Sequence, residues 1–165
     1  AGRQAKLDLN YAETTDNFNA YGVTGHRHLP EIEQGVHQLL NSKFTHNIRF
    51  VPHLVPMIRG MFTTIHLGLT DAGCALNLQQ VYEDAYQNET FIDVLPSGEY
   101  PDTRSVRASN RLRIAVYQDN QTKSATILVV QDNLVKGAAG QAVQCMNVMF
   151  GFDESLGLNH IPVVP

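Results

Sequence analysis

The sequence predicts an α+β domain in which two or three helices cover a mixed or mostly antiparallel sheet of about five strands. Three observations support this class. Apolar residues alternate with a second face over 60–69, as in a strand with one buried side. Two further strand-like runs, 111–117 and 124–130, flank the polar stretch "QDNQTK", which predicts a hairpin. Helical spacing of apolar residues follows Pro30 and recurs over 132–150.

Size and composition restrict the class of protein further. With 165 residues, 43% of them hydrophobic, the chain predicts one domain over 1–165 with a substantial core. A net charge of -4 gives no electrostatic reason to expect binding to nucleic acid or to an anionic membrane. No apolar run approaches the roughly 18 residues of a membrane span. Cys74 and Cys145 have neither metal-site nor disulfide-framework spacing, which favours a reducing cytoplasm.

The N-terminal third is expected to contain one helix between short extended segments. Residues 1–18 are polar and predict a loop, and 18–23 predict a short strand. Pro30 suits the first turn of a helix because it has no amide proton to lose there. Residues 47–56 predict a strand interrupted by prolines. The apolar face of the helix would be formed by Ile32, Val36, Leu39 and Leu40.

After the strand at 60–69, "TDAG" offers a cap for a second helix. "ETFIDVLP" predicts a short strand before a loop and the hairpin. Asp132 or Asn133 would cap the last helix, and the tail after Gly151 is expected to be extended. The second helix would place Leu78, Val81, Tyr82 and Ala85 on one face.

The most distinctive stretch is "YGVTGHRHLPEIEQ", which places two histidines around Arg27 just before a helix. A helix N-terminus disfavours imidazolium, so His26 or His28 would stay neutral near pH 7 and could accept a proton. Two alternatives remain open. Either Glu31 or Glu33 could complete a zinc site with the histidines, or the rings could only bond loop carbonyls.

Other candidates lie farther along the chain. In "DNLVKGAAG" four small residues remove side-chain bulk from one turn, so a backbone or a flat ligand could approach, and Lys136 adds a cation. Tight helix packing explains the same pattern. Arg59, beyond Pro52 and Pro56, could meet a carboxylate or lie at the surface.

A second group of arginines and the two cysteines have ordinary structural explanations. Arg104 and Arg107 could bind phosphate, whereas Arg111 and Arg113 are expected on the solvent face of a strand. Both cysteines are expected to be structural.

Taken together, four segments resemble the N-acetyl-gamma-glutamyl-phosphate reductase family, the NADPH enzymes of arginine biosynthesis. The segments are "AGRQAK", "YGVTGHRHLPEIEQ", "FVPHLVPMIRGMFTTI" and "QDNLVKGAAGQAVQCMNVMFGFDESLGL", and "SVRASN" extends the match. The resemblance implies the catalytic fold of glyceraldehyde-3-phosphate and aspartate-semialdehyde dehydrogenases. Family members also have a Rossmann domain and a nucleophilic cysteine in a Pro-Gly-Cys-Tyr-Pro motif, and neither is recognisable here. We therefore expect a catalytic or dimerisation domain that is inactive alone.

The resemblance also implies a mechanism and site residues. A cysteine thiolate would attack N-acetyl-glutamyl 5-phosphate, and NADPH would reduce the thioester to N-acetyl-glutamate 5-semialdehyde. His26 would be the acid/base, with His28 as second choice. The helix 132–150 would pack on the dinucleotide-binding domain, and the protein would be a homodimer or homotetramer. Tyr21, Arg27, Arg3 and Arg59 would contact substrate, and Asn133, Lys136 and Gly137 would contact NADP.

Two other functions would fit parts of the sequence. The first is a zinc-dependent hydrolase that uses His26 and His28. The second is a purely structural oligomerisation domain, in which the histidines have no chemical role.

Overall fold

A computed structural model describes residues 6–7, 10–40 and 48–163. The chain divides into two compact units, with the boundary between Met57 and Ile58. The expectation that 1–165 forms one domain remains a prediction.

The first unit contains two helices and a pair of two-residue strands. Strand β1 pairs antiparallel with β2, with Asn19 opposite Leu54. The helix after His28 is confirmed, whereas the strand predicted at 18–23 is confined to Asn19–Ala20. The strand predicted at 47–56 is shorter than expected, because regular pairing is confined to two residues between its prolines. The elements are α1 (Tyr11–Thr14), β1 (Asn19–Ala20), α2 (Leu29–Leu39) and β2 (His53–Leu54).

Helix α1 contradicts the prediction of a continuous loop over residues 1–18. Its start is fixed by Asn10, whose side-chain Oδ1 accepts a hydrogen bond from the amide of Glu13 over 3.1 Å. An asparagine three residues before an acidic residue is a helix-capping signal, and it supports a single turn here.

The second unit is built on a four-stranded mixed sheet in the order β3-β6-β5-β4. All neighbouring strands are antiparallel except β4 and β5, which are parallel. The predicted α+β class is confirmed, with four strands here instead of about five. The elements are β3 (Met61–Gly68), α3 (Asp71–Cys74), α4 (Leu78–Tyr86), β4 (Ile92–Val94), a 3-10 turn (Thr103–Val106), β5 (Leu112–Asp119), β6 (Ser124–Gln131), a π-helical turn (Val135–Ala139) and α5 (Gly140–Phe150).

Strands β5 and β6 form the predicted hairpin. They pair along their whole length, from Leu112 opposite Gln131 to Asp119 opposite Ser124. The Asp119 side chain closes the turn by accepting hydrogen bonds from the backbone amide and hydroxyl of Thr122. Aspartate suits this place because its carboxylate satisfies donors that the strands leave unpaired.

Helix α4 covers one face of the sheet and forms the core with it. Ile114, Val116 and Ile127 are buried there. Val81 was expected on the packed face, but its side chain is 43% exposed, so that prediction is wrong. The helix is rotated so that its contacts to the core come from Leu78, Tyr82 and Tyr86.

The segment between β3 and α4 contains two helix starts. Thr70 Oγ1 accepts from the amide of Gly73 and caps only the one-turn helix α3. Asn77 then caps α4 through the amide of Gln80. "TDAG" therefore does provide a helix cap, but for α3, and the longer helix α4 is capped by Asn77.

The C-terminal tail is folded back as far as Leu158, contrary to the extended conformation expected after Gly151. Gly151 ends α5 with φ 71°, a left-handed conformation that glycine adopts without strain. The buried Asn147 side chain donates to the carbonyls of Glu154 and Leu156. Leu158 is 5% exposed and belongs to the core. In the part of the chain that the structure describes, no helix is long and apolar enough to cross a membrane.

Candidate functional site

The two histidines lie in the turn that leads into α2. His28 is the residue before the helix, and its side chain makes no capping hydrogen bond. The amide of Leu29 donates to the carbonyl of His26, which closes the turn over 3.0 Å. Pro30 lies in the first helical turn, as predicted. The His28 imidazole is therefore not used to cap the helix.

Aromatic rings surround His26. The ring centroids of Tyr21, His28 and Phe50 lie 5.5, 4.7 and 5.3 Å from that of His26, each in an edge-on arrangement. Tyr21 is held in place because its amide donates to the carbonyl of Pro52. The structure thus brings together Tyr21, His26 and His28. We define this group, with Phe50, as the histidine cluster.

A single hydrogen bond sets the protonation of the His26 ring. The backbone N–H of His28 donates to Nδ1 of His26 over 3.2 Å. Because an amide N–H can only donate, Nδ1 must carry a lone pair, and the neutral ring then carries its proton on Nε2. Nε2 is consequently a hydrogen-bond donor in this arrangement.

The surroundings of His26 also favour its neutral form. Partial removal of water lowers the pKa of the ring below 6.5, and the nearby positive charges of His28 and Arg27 lower this pKa further. The direction agrees with the expectation from the helix N-terminus, but the largest cause is the loss of water. A neutral imidazole that donates from Nε2 can polarise a carbonyl oxygen.

The zinc alternative gains no support from the geometry. Across residues 6–7, 10–40 and 48–163, no group of three His, Cys, Asp or Glu side chains is placed to hold a metal ion.

A second cluster forms around Asp132, which is the cap that the sequence predicted at 132 or 133. Its Oδ1 accepts from the amides of Leu134 and Val135 over 2.8 and 2.9 Å. Its Oδ2 accepts from the amide of Ala108 and lies 3.5 Å from Nε of Arg59. Ala108 has φ 59°, so the aspartate also holds a strained backbone conformation.

The neighbouring Asn133 makes a long-range contact. Its Oδ1 accepts a 2.8 Å hydrogen bond from the amide of Gly60. Asp132 and Asn133 together fix the backbone beside Arg59 to the start of the terminal helix.

The small-residue turn has an unusual backbone. Val135–Ala139 form a π-helical turn, a feature that sequence spacing did not predict and that often marks functional segments. The amide of Gly137 donates to the carbonyl of Asp132 over 2.9 Å. The turn is therefore tied to Asp132 and leaves Gly137, Ala138 and Ala139 exposed.

Lys136 points into this region and is not a freely solvated cation. Its Nζ donates to Oε1 of Gln144 over 2.7 Å and lies 5.6 Å from the centre of the Phe91 ring. Burial lowers the pKa of the ammonium group below its usual value, although the charge of Glu154 acts in the opposite direction.

The structure corrects the predictions for two arginines and one cysteine, and a further predicted arginine lies outside the described residues. Arg111 and Arg113 are not simply a solvated face, because both form ion pairs with Asp93, over 3.0 and 3.4 Å. Cys145 is exposed, although its neighbours in the sequence suggested an apolar setting. Arg3 lies outside the described residues.

Comparison with known proteins assigns the family. The family described as semialdehyde dehydrogenase, dimerisation domain, matches residues 1–133. The chain belongs to this family. Among its relatives, an N-acetyl-gamma-glutamyl-phosphate reductase from Psychrobacter sp. (strain PRwf-1) is 85% identical over all 165 residues, which are 46% of that protein. Another from Herminiimonas arsenicoxydans is 54% identical over the same 165 residues, 47% of its length. The resemblance inferred from the sequence is confirmed.

This member of the semialdehyde dehydrogenase dimerisation family spans about half the length of the curated relatives that it matches. Its fold is similar to aspartate semialdehyde dehydrogenase II complexed with ASA from Vibrio cholerae, with a TM-score of 0.56 and 19% identity. That match covers 76% of this chain and 37% of the other. It confirms the expected fold.

Proposed function

We propose that this chain is part of an NADPH-dependent reductase that converts N-acetyl-glutamyl 5-phosphate into N-acetyl-glutamate 5-semialdehyde and phosphate. The observation that carries the proposal is the 85% identity, over every residue of the chain, to a relative named N-acetyl-gamma-glutamyl-phosphate reductase. We expect the nucleophilic cysteine and the dinucleotide-binding domain to lie outside these 165 residues. Such an enzyme would work in the cytoplasm.

The proposed reaction has two stages. A cysteine thiolate adds to the acyl carbonyl, the bond from carbon to the phosphate oxygen breaks, and phosphate leaves a thioester. Bound NADPH, for which Asn133, Lys136 and Gly137 are the proposed contacts, would supply hydride to the thioester carbon. Collapse of the resulting adduct releases the aldehyde and restores the thiolate. In both stages negative charge grows on the same carbonyl oxygen, so a fixed donor beside that oxygen would accelerate both.

His26 is suited to that donor role. Its Nε2–H would hydrogen-bond to the carbonyl oxygen, because Nδ1 is occupied by the amide of His28. The acid/base function predicted for His26 then takes the form of donation, while His28 is the candidate for moving a proton to or from solvent. Tyr21 shapes the cluster through its edge-on contact with His26.

The substrate and product carry carboxylate and phosphate groups, for which arginine is the matching side chain. Arg3, Arg27 and Arg59 are the proposed anchors. Arg27 is exposed in the histidine turn, and Arg59 is partly buried against Asp132.

The cofactor contacts are proposed for Asn133, Lys136 and Gly137. The exposed turn at Gly137–Ala139 supports this, since its lack of side-chain bulk would let a flat ring approach the backbone. Lys136 would act through Gln144, which binds its ammonium group. In this proposal the terminal helix packs on the dinucleotide-binding domain.

Self-association as a homodimer or homotetramer is proposed through the sheet face opposite α4. On β3 this face carries Phe62, Thr64 and His66, all exposed, and Phe62 is 49% exposed. The name of the family, a dimerisation domain, supports a second copy as the occupant. In such an assembly, Thr64→Lys would bring a lysine of one copy close to the same lysine of the other copy, and their like charges would repel. Light scattering should give a lower mass for Thr64→Lys, while Gln121→Lys in the exposed hairpin turn should leave the mass unchanged.

The proposed activity is tested by comparing the 165-residue chain alone with the same chain joined to a dinucleotide-binding domain that carries the cysteine. The 165-residue chain alone should show no NADPH oxidation with acyl phosphate. The same chain joined to a dinucleotide-binding domain with the cysteine should show it. Turnover by the chain alone, or none by the joined protein, would contradict the proposal.

A structural oligomerisation role is the second candidate, because the family description names dimerisation alone. It predicts that His26 substitutions leave the rate of the joined protein unchanged. Zinc-dependent hydrolysis remains testable by metal analysis, in which stoichiometric zinc would favour it.

A further inference from the structure

The Asp132 carboxylate is completely buried yet remains charged. Its side chain is 0% exposed. Burial alone would raise its pKa, but the amides of Ala108, Val135 and Leu134, together with the Arg59 guanidinium, lower this pKa below its usual value. The dipoles of these three backbone amides offset part of the negative charge of the Asp132 carboxylate. The guanidinium beside it therefore retains much of its positive potential.

Arg59 contacts this carboxylate through one edge only. Its Nε lies 3.5 Å from Oδ2 of Asp132, and its side chain is 28% exposed. Among the described residues, no hydrogen bond or ion pair involves the two terminal amino groups of Arg59. Arg111 differs, since its Nη1 is used on both oxygens of Asp93, over 3.0 and 3.3 Å.

The backbone beside Arg59 is fixed as well. Asn133 Oδ1 binds the Gly60 amide over 2.8 Å, so the arginine is constrained both at its own side chain and at the next peptide. A constrained guanidinium loses little conformational freedom when it binds a planar or tetrahedral oxyanion.

We propose that Asp132 is a positioning residue, which holds Arg59 by its Nε edge so that the two terminal amino groups form a bidentate seat for a substrate oxyanion. The shared chemistry is a pair of oxygens on a carboxylate or phosphate group. This inference rests on the proposed function, and it selects Arg59 over Arg27 as the preorganised anchor. The same aspartate links the seat to the exposed turn through Gly137.

Direct binding to the 165-residue chain is the first test. Inorganic phosphate and N-acetylglutamate are titrated separately while the backbone amide signal of Gly60, the residue next to Arg59, is followed by NMR. A saturable shift is expected with at least one probe, and the stronger probe identifies the group that occupies the seat. Arg59→Gln should abolish the binding. A shift of the same size in that variant, or no saturable shift in the wild type, would overturn the proposal.

Two more variants separate position from charge. Arg59→Lys keeps the positive charge but removes the pair of terminal amino groups. Asp132→Asn keeps the size of the side chain but removes the ion pair with Arg59. Each should weaken binding about tenfold, as expected for loss of a bidentate charged contact. Arg113→Gln is the matched control, because Arg113 also meets a carboxylate through Nε, over 3.4 Å, and its loss should change nothing. Unchanged affinity in Arg59→Lys would overturn the bidentate seat, even if Asp132→Asn fails to fold. Unchanged affinity in a folded Asp132→Asn would overturn the positioning role of Asp132.

Kinetics of the protein joined to its dinucleotide-binding domain distinguish this inference from the proposed function. Arg59→Lys should raise KM for the acyl phosphate much more than it lowers kcat. Normal KM in a working enzyme would reject the seat and leave the function intact. Anion binding by a wild-type protein without turnover would reject the function and leave an anion seat without its proposed substrate.

Discussion

The backbone N–H of His28 donates to Nδ1 of His26, and this contact decides which nitrogen of His26 can face a substrate. The neutral ring keeps its proton on Nε2. Nε2 is therefore the nitrogen that can donate, as the role proposed for His26 requires.

Removal of the His28 N–H should allow the neutral His26 ring to move its proton from Nε2 to Nδ1. His28→Pro eliminates the amide proton, and the φ of -80° at this position is close to what proline adopts. His28→Ala is the control, since it loses the imidazole and keeps the amide. Nitrogen NMR should show the Nδ1–H form of His26 growing in His28→Pro only. The same tautomer in both variants would contradict the assigned role of the amide.

Arg27 should influence the titration of His26. Its charge contributes to the lowered pKa of His26, after the loss of water and the charge of His28. Arg27→Gln should therefore move the NMR titration midpoint of His26 upward, toward 6.5. An unchanged or lower midpoint would show that the arginine does not act on the ring.

The pH dependence of stability has a defined sign. The unfolded chain protonates His26 near 6.5, whereas the folded ring stays neutral to lower pH. The neutral ring therefore makes its full contribution to the free energy of unfolding above pH 6.5. This contribution is lost as the pH falls through the pKa that His26 has in the folded protein. Urea unfolding of the wild type and of His26→Gln should converge as the pH is lowered through this window. Parallel curves would contradict the lowered pKa.

Substitution of His26 distinguishes donation from proton transfer. In the protein joined to its dinucleotide-binding domain, His26→Ala should lower kcat/KM about 100-fold or more, as for loss of a transition-state donor. His26→Gln should recover part of that loss, because its amide can still donate a hydrogen bond. If glutamine and alanine are equally inactive, proton transfer by the ring is favoured; if both are fully active, the histidine has no chemical role.

Gly140 should be the least replaceable glycine of the terminal helix. A Cβ there would lie 2.4 Å from Oδ1 of Asn110 and 2.9 Å from the carbonyl of Val135. We expect Gly140→Ala to lower the free energy of unfolding by about 1–3 kcal/mol through overpacking. Gly35→Ala in α2 is the control, since nothing lies within 4 Å, and should stabilise by about 0.5–1 kcal/mol. Urea denaturation measures both, and a tolerated Gly140→Ala would contradict the packing described.

Local patterns in the sequence were sufficient to predict most regular elements. The β5–β6 hairpin and α2 followed from apolar spacing and turn residues, which act over a few positions. The rotation of α4 was not predictable, because Val81 and Tyr86 both fit a helical face and only contact with Ile114 and Val116 decides between them. The π-helical turn was not predicted either, since its hydrogen bonds from Gly137 to Asp132 and from Ala139 to Leu134 span five residues, a spacing that the apolar pattern did not indicate.

The candidate site was predictable in residue type and only partly in geometry. "GHRH" identified His26 and His28 as neighbours. The tautomer depends on a backbone amide, which a sequence does not display. Likewise, the sequence suggested a cap at Asp132 but not its contact with Arg59, because 73 positions separate those two residues. Pairing across that distance is set by the sheet, in which β3 and β6 are neighbours.

The donor role proposed for His26 depends on the protonation of its ring in the wild-type protein. NMR correlations between the ring nitrogens and the carbon-bound ring protons, recorded between pH 5 and pH 8, measure it. We expect a neutral ring above pH 6.5, with the proton on Nε2 and an unprotonated Nδ1. A ring that is protonated at pH 7, or a neutral ring with its proton on Nδ1, would contradict it.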